Sequence, residues 1–158
     1  ICEHNADGAM GLILNQQMDI SVKAIFDQLK LDYKEDCARS LLFDGGPVQR
    51  DRGFILHLSC DQKWESTLAI SDQISLTASR DILSDIAVGN GPTESLVTLG
   101  YSRWDAGQLE RELGENSWLT IPADAEIIFN TDCAQRASAA ALSIGLDLSM
   151  LSHQAGHA

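Results

Sequence analysis

Apolar and polar residues alternate along this chain in short blocks, and the period of each block predicts an element. Ile1-Cys2-Glu3-His4 reads as a strand, Asp7-Gly8 as a tight turn and residues 9–14 as the returning arm of a hairpin, because glycine supplies the positive φ that such turns need. The first arm is expected to extend upstream of Ile1, so the sequence reads as one whose opening strand segment is missing. Residues 11–14 are uniformly apolar, as in a strand covered on both faces. Val22, Ile25, Phe26 and Leu29 then recur at helical spacing, with Asp19 or Ser21 placed to cap that helix. Residues 30–39 are polar and read as a solvated connection. Leu41-Leu42-Phe43 is again strand-like and ends at Asp44-Gly45-Gly46-Pro47, which is strong turn chemistry.

The second half repeats the alternation. Over residues 53–59, Phe54, Leu56 and Leu58 face one way and Ile55, His57 and Ser59 the other. Residues 66–70 and 74–78 predict two further strands. Ser79 is placed to cap a helix carrying Ile82, Leu83, Ile86 and Ala87, which Gly89-Asn90-Gly91-Pro92 stops. Residues 96–101 predict a strand with Val97, Leu99 and Tyr101 on one face. Asp105 is placed to cap a helix whose inner stripe is Ala106, Leu109 and Leu113. Residues 117–121 look strand-like up to Pro122, an alanine-rich helix is expected from about Asp132 to Ile144, and the tail from Ser152 is polar. Strands alternate with helices, yet several strands follow one another directly. That order predicts an α/β (mixed α+β) fold, one domain over residues 1–158, with helices packed against a mixed sheet.

Charge narrows the functions open to such a domain. Of 158 residues, 11 are Lys or Arg and 23 Asp or Glu, giving a net charge of −12. A polyanion repels nucleic-acid phosphates and anionic lipid, so direct nucleic-acid binding and membrane-surface binding are not expected. No apolar run approaches the length that crosses a bilayer. Cys2, Cys37, Cys60 and Cys133 are scattered, as expected of reduced thiols in a cytoplasmic protein.

Motifs for chemistry are sparse. His57 and Cys60 stand three apart, but no CxxC pair or HExxH run accompanies them, so no metal and no cofactor are expected. Ser102 lacks the second glycine of a nucleophile elbow. A Cys2 nucleophile needs a neighbouring histidine and an electropositive setting, and His4 is the candidate neighbour. The Gly45-Gly46 turn offers backbone N–H groups to an anion, with Arg50 and Arg52 just downstream; alternatively those arginines pair with Asp44 and Asp51. Tyr101, Trp104 and Trp118 lie near the acidic stretch 108–115 and are candidate interface anchors, the alternative being a place in the core.

Together, several of these segments form a pattern. Cys2-Glu3-His4-Asn5 with Gly8-Ala9-Met10-Gly11-Leu12 and Asn15, then Gly45-Gly46-Pro47-Val48 with Asp51-Arg52-Gly53-Phe54 and His57, resembles the AlgH (YqgE) family. Ser79-Arg80-Asp81, Leu99-Gly100-Tyr101 with Trp104, Gly107-Gln108-Leu109-Glu110 and Trp118-Leu119-Thr120 with Pro122-Ala123-Asp124 continue it in order. The resemblance implies a bacterial, cytoplasmic α/β domain with a strongly bent sheet. It also implies a role as transcriptional regulator, with no catalytic residue set or cofactor established for the family. No helix-turn-helix pattern or basic face accompanies that role here. The leading expectation is therefore a non-enzymatic regulator that acts through a protein partner. The competing expectation is a small-ligand (anion or nucleotide) binder or enzyme in which Glu3, His4, Asn15, Arg52, His57 and Arg80 converge beside Gly45 and Gly46.

Overall fold

Two apolar layers, one on each face of a curled sheet, organise the computed structural model, which describes residues 1–148. In chain order the strands are β1 (Glu3–Asn5), β2 (Gly8–Gly11), β3 (Gln17–Ser21), β4 (Leu41–Asp44), β5 (Val48–Leu58), β6 (Thr67–Ala69), β7 (Ile74–Thr77) and β8 (Ser95–Asp105). The α-helices among the described residues are α1 (Lys23–Leu29), α2 (Asp81–Val88), α3 (Gln108–Gly114) and α4 (Arg136–Leu142). No helix among these residues is long and apolar enough to cross a membrane.

β8 is the spine. One of its edges carries β5, followed by β7 and β6, all antiparallel. Its other edge is divided between two strands. β4 pairs in parallel with the first part, Phe43 opposite Thr98, and β2 pairs antiparallel with the last part, Gly11 opposite Ser102 and Gly8 opposite Asp105. β4 runs on into β5 through the Gly45-Gly46 turn, which crosses β8 from one edge to the other. There a Cβ on Gly45 would lie 2.4 Å from the Gly100 carbonyl oxygen, and one on Gly46 2.3 Å from the Tyr101 carbonyl carbon. Only glycine allows backbones so close.

The first layer packs Val22, Phe26, Leu42, Ile55, Ile82 and Val97 beneath α1 and α2. The second packs Phe54, Leu56, Ile74 and Leu76 with Met10, Leu12, Tyr101 and Phe129. Full burial of such a side chain stabilises by about 2 kcal/mol, so the clean alternation of Phe54 and Ile55 between layers holds β5 in register. The expected alternation along β8 is corrected. Val97 and Leu99 face the first layer, but Tyr101 faces the second. Gly100, at a φ of +75°, breaks the two-residue period between them.

Other boundaries also differ. The uniformly apolar residues 11–14 are not a doubly covered strand, since β2 ends at Gly11 and β3 forms instead over the alternating Gln17–Ser21. Neither Asp19 nor Ser21 caps α1, because both lie inside β3 and the helix starts after Val22 with no side-chain cap. Residues 30–39 include a 3₁₀ turn, Glu35–Ala38, that buries Ala38. Asp105 belongs to β8, and Gly107 rather than Asp105 precedes α3. Residues 117–121 pair with no strand, and Trp118 and Leu119 stand exposed there. The helix expected from Asp132 is split into a 3₁₀ turn, Cys133–Gln135, which Asp132 does cap, followed by α4. The polar tail from Ser152 lies outside the described residues.

Candidate functional site

The polar residues singled out from the sequence are distributed by strand parity. In β1, Glu3 stands opposite Met10 and His4 opposite Ala9, so the two side chains leave opposite faces. Glu3 faces an open cleft that Arg52, Tyr101 and Arg103 also line. His4 faces α3, where its Nε2–H donates to Glu110 Oε1 at 2.6 Å. The Glu110 carboxyl is held below its usual range by its own backbone N–H and then by His4.

His57 belongs to the other layer. It is 1% exposed, beneath the edge of the Trp64 ring at a centroid distance of 5.1 Å. Its Nδ1 lies 2.8 Å from the Leu58 carbonyl oxygen and therefore carries the proton, leaving Nε2 to accept from the Thr77 hydroxyl at 2.9 Å. Burial holds the His57 pKa below its usual value, against that carbonyl, which raises it. Asn15 is exposed between β2 and β3, and Arg80 is exposed just before α2.

Gly45 and Gly46 are buried, and their N–H groups are already used. Gly45 donates to the Leu99 carbonyl at 2.8 Å and Gly46 to Asp44 Oδ1 at 3.3 Å. Arg50 pairs with Asp44. Of the six polar side chains expected to converge, only Glu3 and Arg52 share a cleft. Arg103, its other cation, was not legible in advance, because β2 and β8 are about ninety residues apart in the chain and only their pairing brings Met10 opposite Arg103.

Cys2 is not set up as an activated nucleophile. Burial pushes the Cys2 thiol pKa up rather than down, which suppresses the thiolate, and His4 is engaged elsewhere. All four cysteines are free. No group of three or more His, Cys, Asp or Glu side chains that could hold a metal occurs among the described residues.

A second feature lies on the α3 side of the sheet. Trp104, from β8, and Trp118 meet edge to face with centroids 5.8 Å apart. Both indole N–H groups donate to the same oxygen, Glu112 Oε2, at 2.9 and 2.7 Å, while Gln108 donates to Oε1. Those donors, Trp118 foremost, hold the Glu112 carboxyl below its ordinary range. Trp118 and Leu119 are nevertheless 50% and 55% exposed. Tyr101, the third expected anchor, is not with them. It packs edge to face on Phe54 in the second layer, 5.4 Å between centroids.

Comparison with known proteins places the chain. Residues 1–149 match the family model described as AlgH-like (DUF179). A UPF0301 protein of Saccharophagus degradans is 49% identical over the whole chain, which spans 77% of that protein. One from Thioalkalivibrio sulfidiphilus is 47% identical, the whole chain spanning 84% of it. The solution structure of the AlgH protein from Pseudomonas aeruginosa superposes with a TM-score of 0.80 at 46% identity, covering 99% of this chain and 82% of that one. A crystal structure of a Corynebacterium diphtheriae protein shares the fold at a TM-score of 0.66 and 15% identity, over 86% of this chain and 72% of the other. With nearly its full length matched by model, relatives and structure alike, the chain belongs to the AlgH-like UPF0301 family.

Proposed function

We propose that this domain is a cytoplasmic regulatory contact module that acts on transcription by binding a basic protein surface, not DNA. The observation that carries this reading is the face around α3. Trp118 and Leu119 present half-exposed apolar surface, and the Glu112 carboxylate holds both indoles in one geometry. A pre-positioned tryptophan loses little freedom on docking, which is why such residues dominate interface energetics. Glu110 and Glu115, on and just after the helix that carries Glu112, are exposed acidic residues, and the chain carries a net charge of −12. A partner with lysines and arginines around an apolar pocket fits this face, and the charge speeds encounter more than it sets affinity. The similarity to AlgH supports the regulatory side of the reading.

The test replaces both exposed apolar residues, Trp118→Ser with Leu119→Ser, leaving the sheet untouched. The wild-type chain is expected to capture a basic protein from bacterial lysate. Titration of that purified partner should give binding about tenfold weaker or worse for the double variant. Equal affinity of the two forms, or capture of acidic proteins alone, overturns the proposal.

A further inference from the structure

We infer that the cleft on the β1–β2–β8 face binds a nucleoside monophosphate whose base offers adjacent N–H donors, as guanine does. This inference is independent of the contact surface around α3, which lies on the other side of the same strands. The register lines up Glu3, Met10 and Arg103 on three neighbouring strands. Glu3 and Arg103 therefore stand two strand spacings apart, about 10 Å between backbones, with Met10 as the floor between them. The next residue pair along leaves the floor open, because Gly8 stands between Asn5 and Asp105. Arg52 joins Arg103 from β5. Between Val48 and Gly53 that strand advances five residues while β8 advances two, a bulge in which Gln49 takes a φ of +47°. Such a bulge re-aims the side chains it carries, and the Arg52 guanidinium lies over the Phe54 ring, 5.2 Å from its centroid.

The Glu3 carboxylate and the two arginines face one another across this cleft without pairing. Arg103 pairs loosely with Asp105 on its own strand, at 3.9 Å, and Arg52 donates to Gln49 Oε1 at 3.5 Å. Glu3 receives a hydrogen bond from Asn5 Nδ2 at 2.9 Å, and no ion pair joins it to either arginine among the described residues. One end of the cleft thus presents two guanidiniums, one of them shared with Asp105, and the other end presents acceptor carboxylates, Glu3 and the turn residue Asp7. Planar guanidiniums suit phosphate oxygens, and an ionised carboxylate accepts only, so it selects N–H donors. The floor between them, Met10 and the Tyr101 ring, offers a flat apolar surface for a base. The cleft volume of about 320 Å³ is at the small end for ligand sites and fits one nucleotide.

Titration of the isotope-labelled chain, followed by amide NMR, tests this with guanosine monophosphate, adenosine monophosphate, guanosine and inorganic phosphate as probes. Guanosine monophosphate is expected to give saturable shifts at Met10, Tyr101 and Arg103, with a Kd on the order of 0.1 mM. Arg52→Gln and Arg103→Gln each weaken binding about tenfold. Glu3→Gln removes the preference over adenosine monophosphate while phosphate affinity stays. The three residues are exposed, so amides outside the cleft should keep their positions. Absence of saturation at millimolar nucleotide, equal binding of inorganic phosphate alone, or shifts that survive loss of both arginines overturn the inference.

Discussion

At the scale of single residues, two positions show how local chemistry sets stability. His57 is buried with its neutral form satisfied on both nitrogens, and burial lowers its pKa. The unfolded chain takes up a proton near pH 6.5, whereas the folded chain does so only at lower pH. Stability should therefore be full above about pH 7 and decline as the pH falls through 6.5 toward the folded value. Thermal unfolding between pH 7.5 and 5.5 is expected to show this slope, and His57→Gln to flatten it. Gly100 is the other. Its φ is +75°, and a Cβ there would sit 2.4 Å from the Gly46 carbonyl oxygen. Gly107 has a similar φ of +72° with nothing within 4 Å. In urea denaturation Gly107→Ala should cost about 1 kcal/mol of backbone strain, and Gly100→Ala about 3 kcal/mol or more, since strain and steric collision add. Equal losses would show that the close crossing of backbones is not what requires the second glycine.

At the scale of elements, helix beginnings were the least legible features. Ser79 stands where a cap was expected, yet it acts at one remove. Its hydroxyl donates to Asp81 Oδ1, and Asp81 also accepts the backbone N–H groups of Ile82 and Glu65. Burial pushes the Asp81 carboxyl up, but these donors outweigh it and its pKa is lowered. Asp81 thus ties α2 to the connection before β6. Asp81→Ala should destabilise the domain by about 1–2 kcal/mol at pH 7. Because its folded pKa is depressed, the difference should shrink as the pH falls below 4, through the folded value, where the wild type loses the same ionised group. A difference that persists unchanged at pH 2.5 would assign Asp81 no electrostatic role. By contrast, the second half of β5 was readable in advance, although residues 48–52, which carry the bulge, were not. Its 54–57 segment alternates between two buried layers, and a one-residue slip would exchange Phe54 with Ile55 and place His57 wrongly. Gln17–Ser21 also alternates, Met18 and Ile20 against Gln17, Asp19 and Ser21, but it is short and mostly exposed, and Asp19 and Ser21 read equally well as helix caps, so β3 was missed.

At the scale of the whole molecule, a net charge of −12 acts on any encounter. Association with a basic partner should slow as salt rises, because screening shortens the reach of the field to about 8 Å at physiological ionic strength, while dissociation from the Trp118–Leu119 face changes little. The cleft beside Met10 is smaller in reach, since its opposed charges lie only two strand spacings apart. The amino-acid sequence by itself determined the kinds of element, most of the strands, the acidic character and the family, because these rest on periodicity, turn residues and motifs that are local in the chain. Tertiary structure alone decided which groups meet. Parity sent Glu3 into a cleft and His4 to α3, Gly100 turned Tyr101 away from Val97 and Leu99, and pairing over some ninety residues set Arg103 beside Met10. Such contacts depend on register between distant strands, which no single segment encodes.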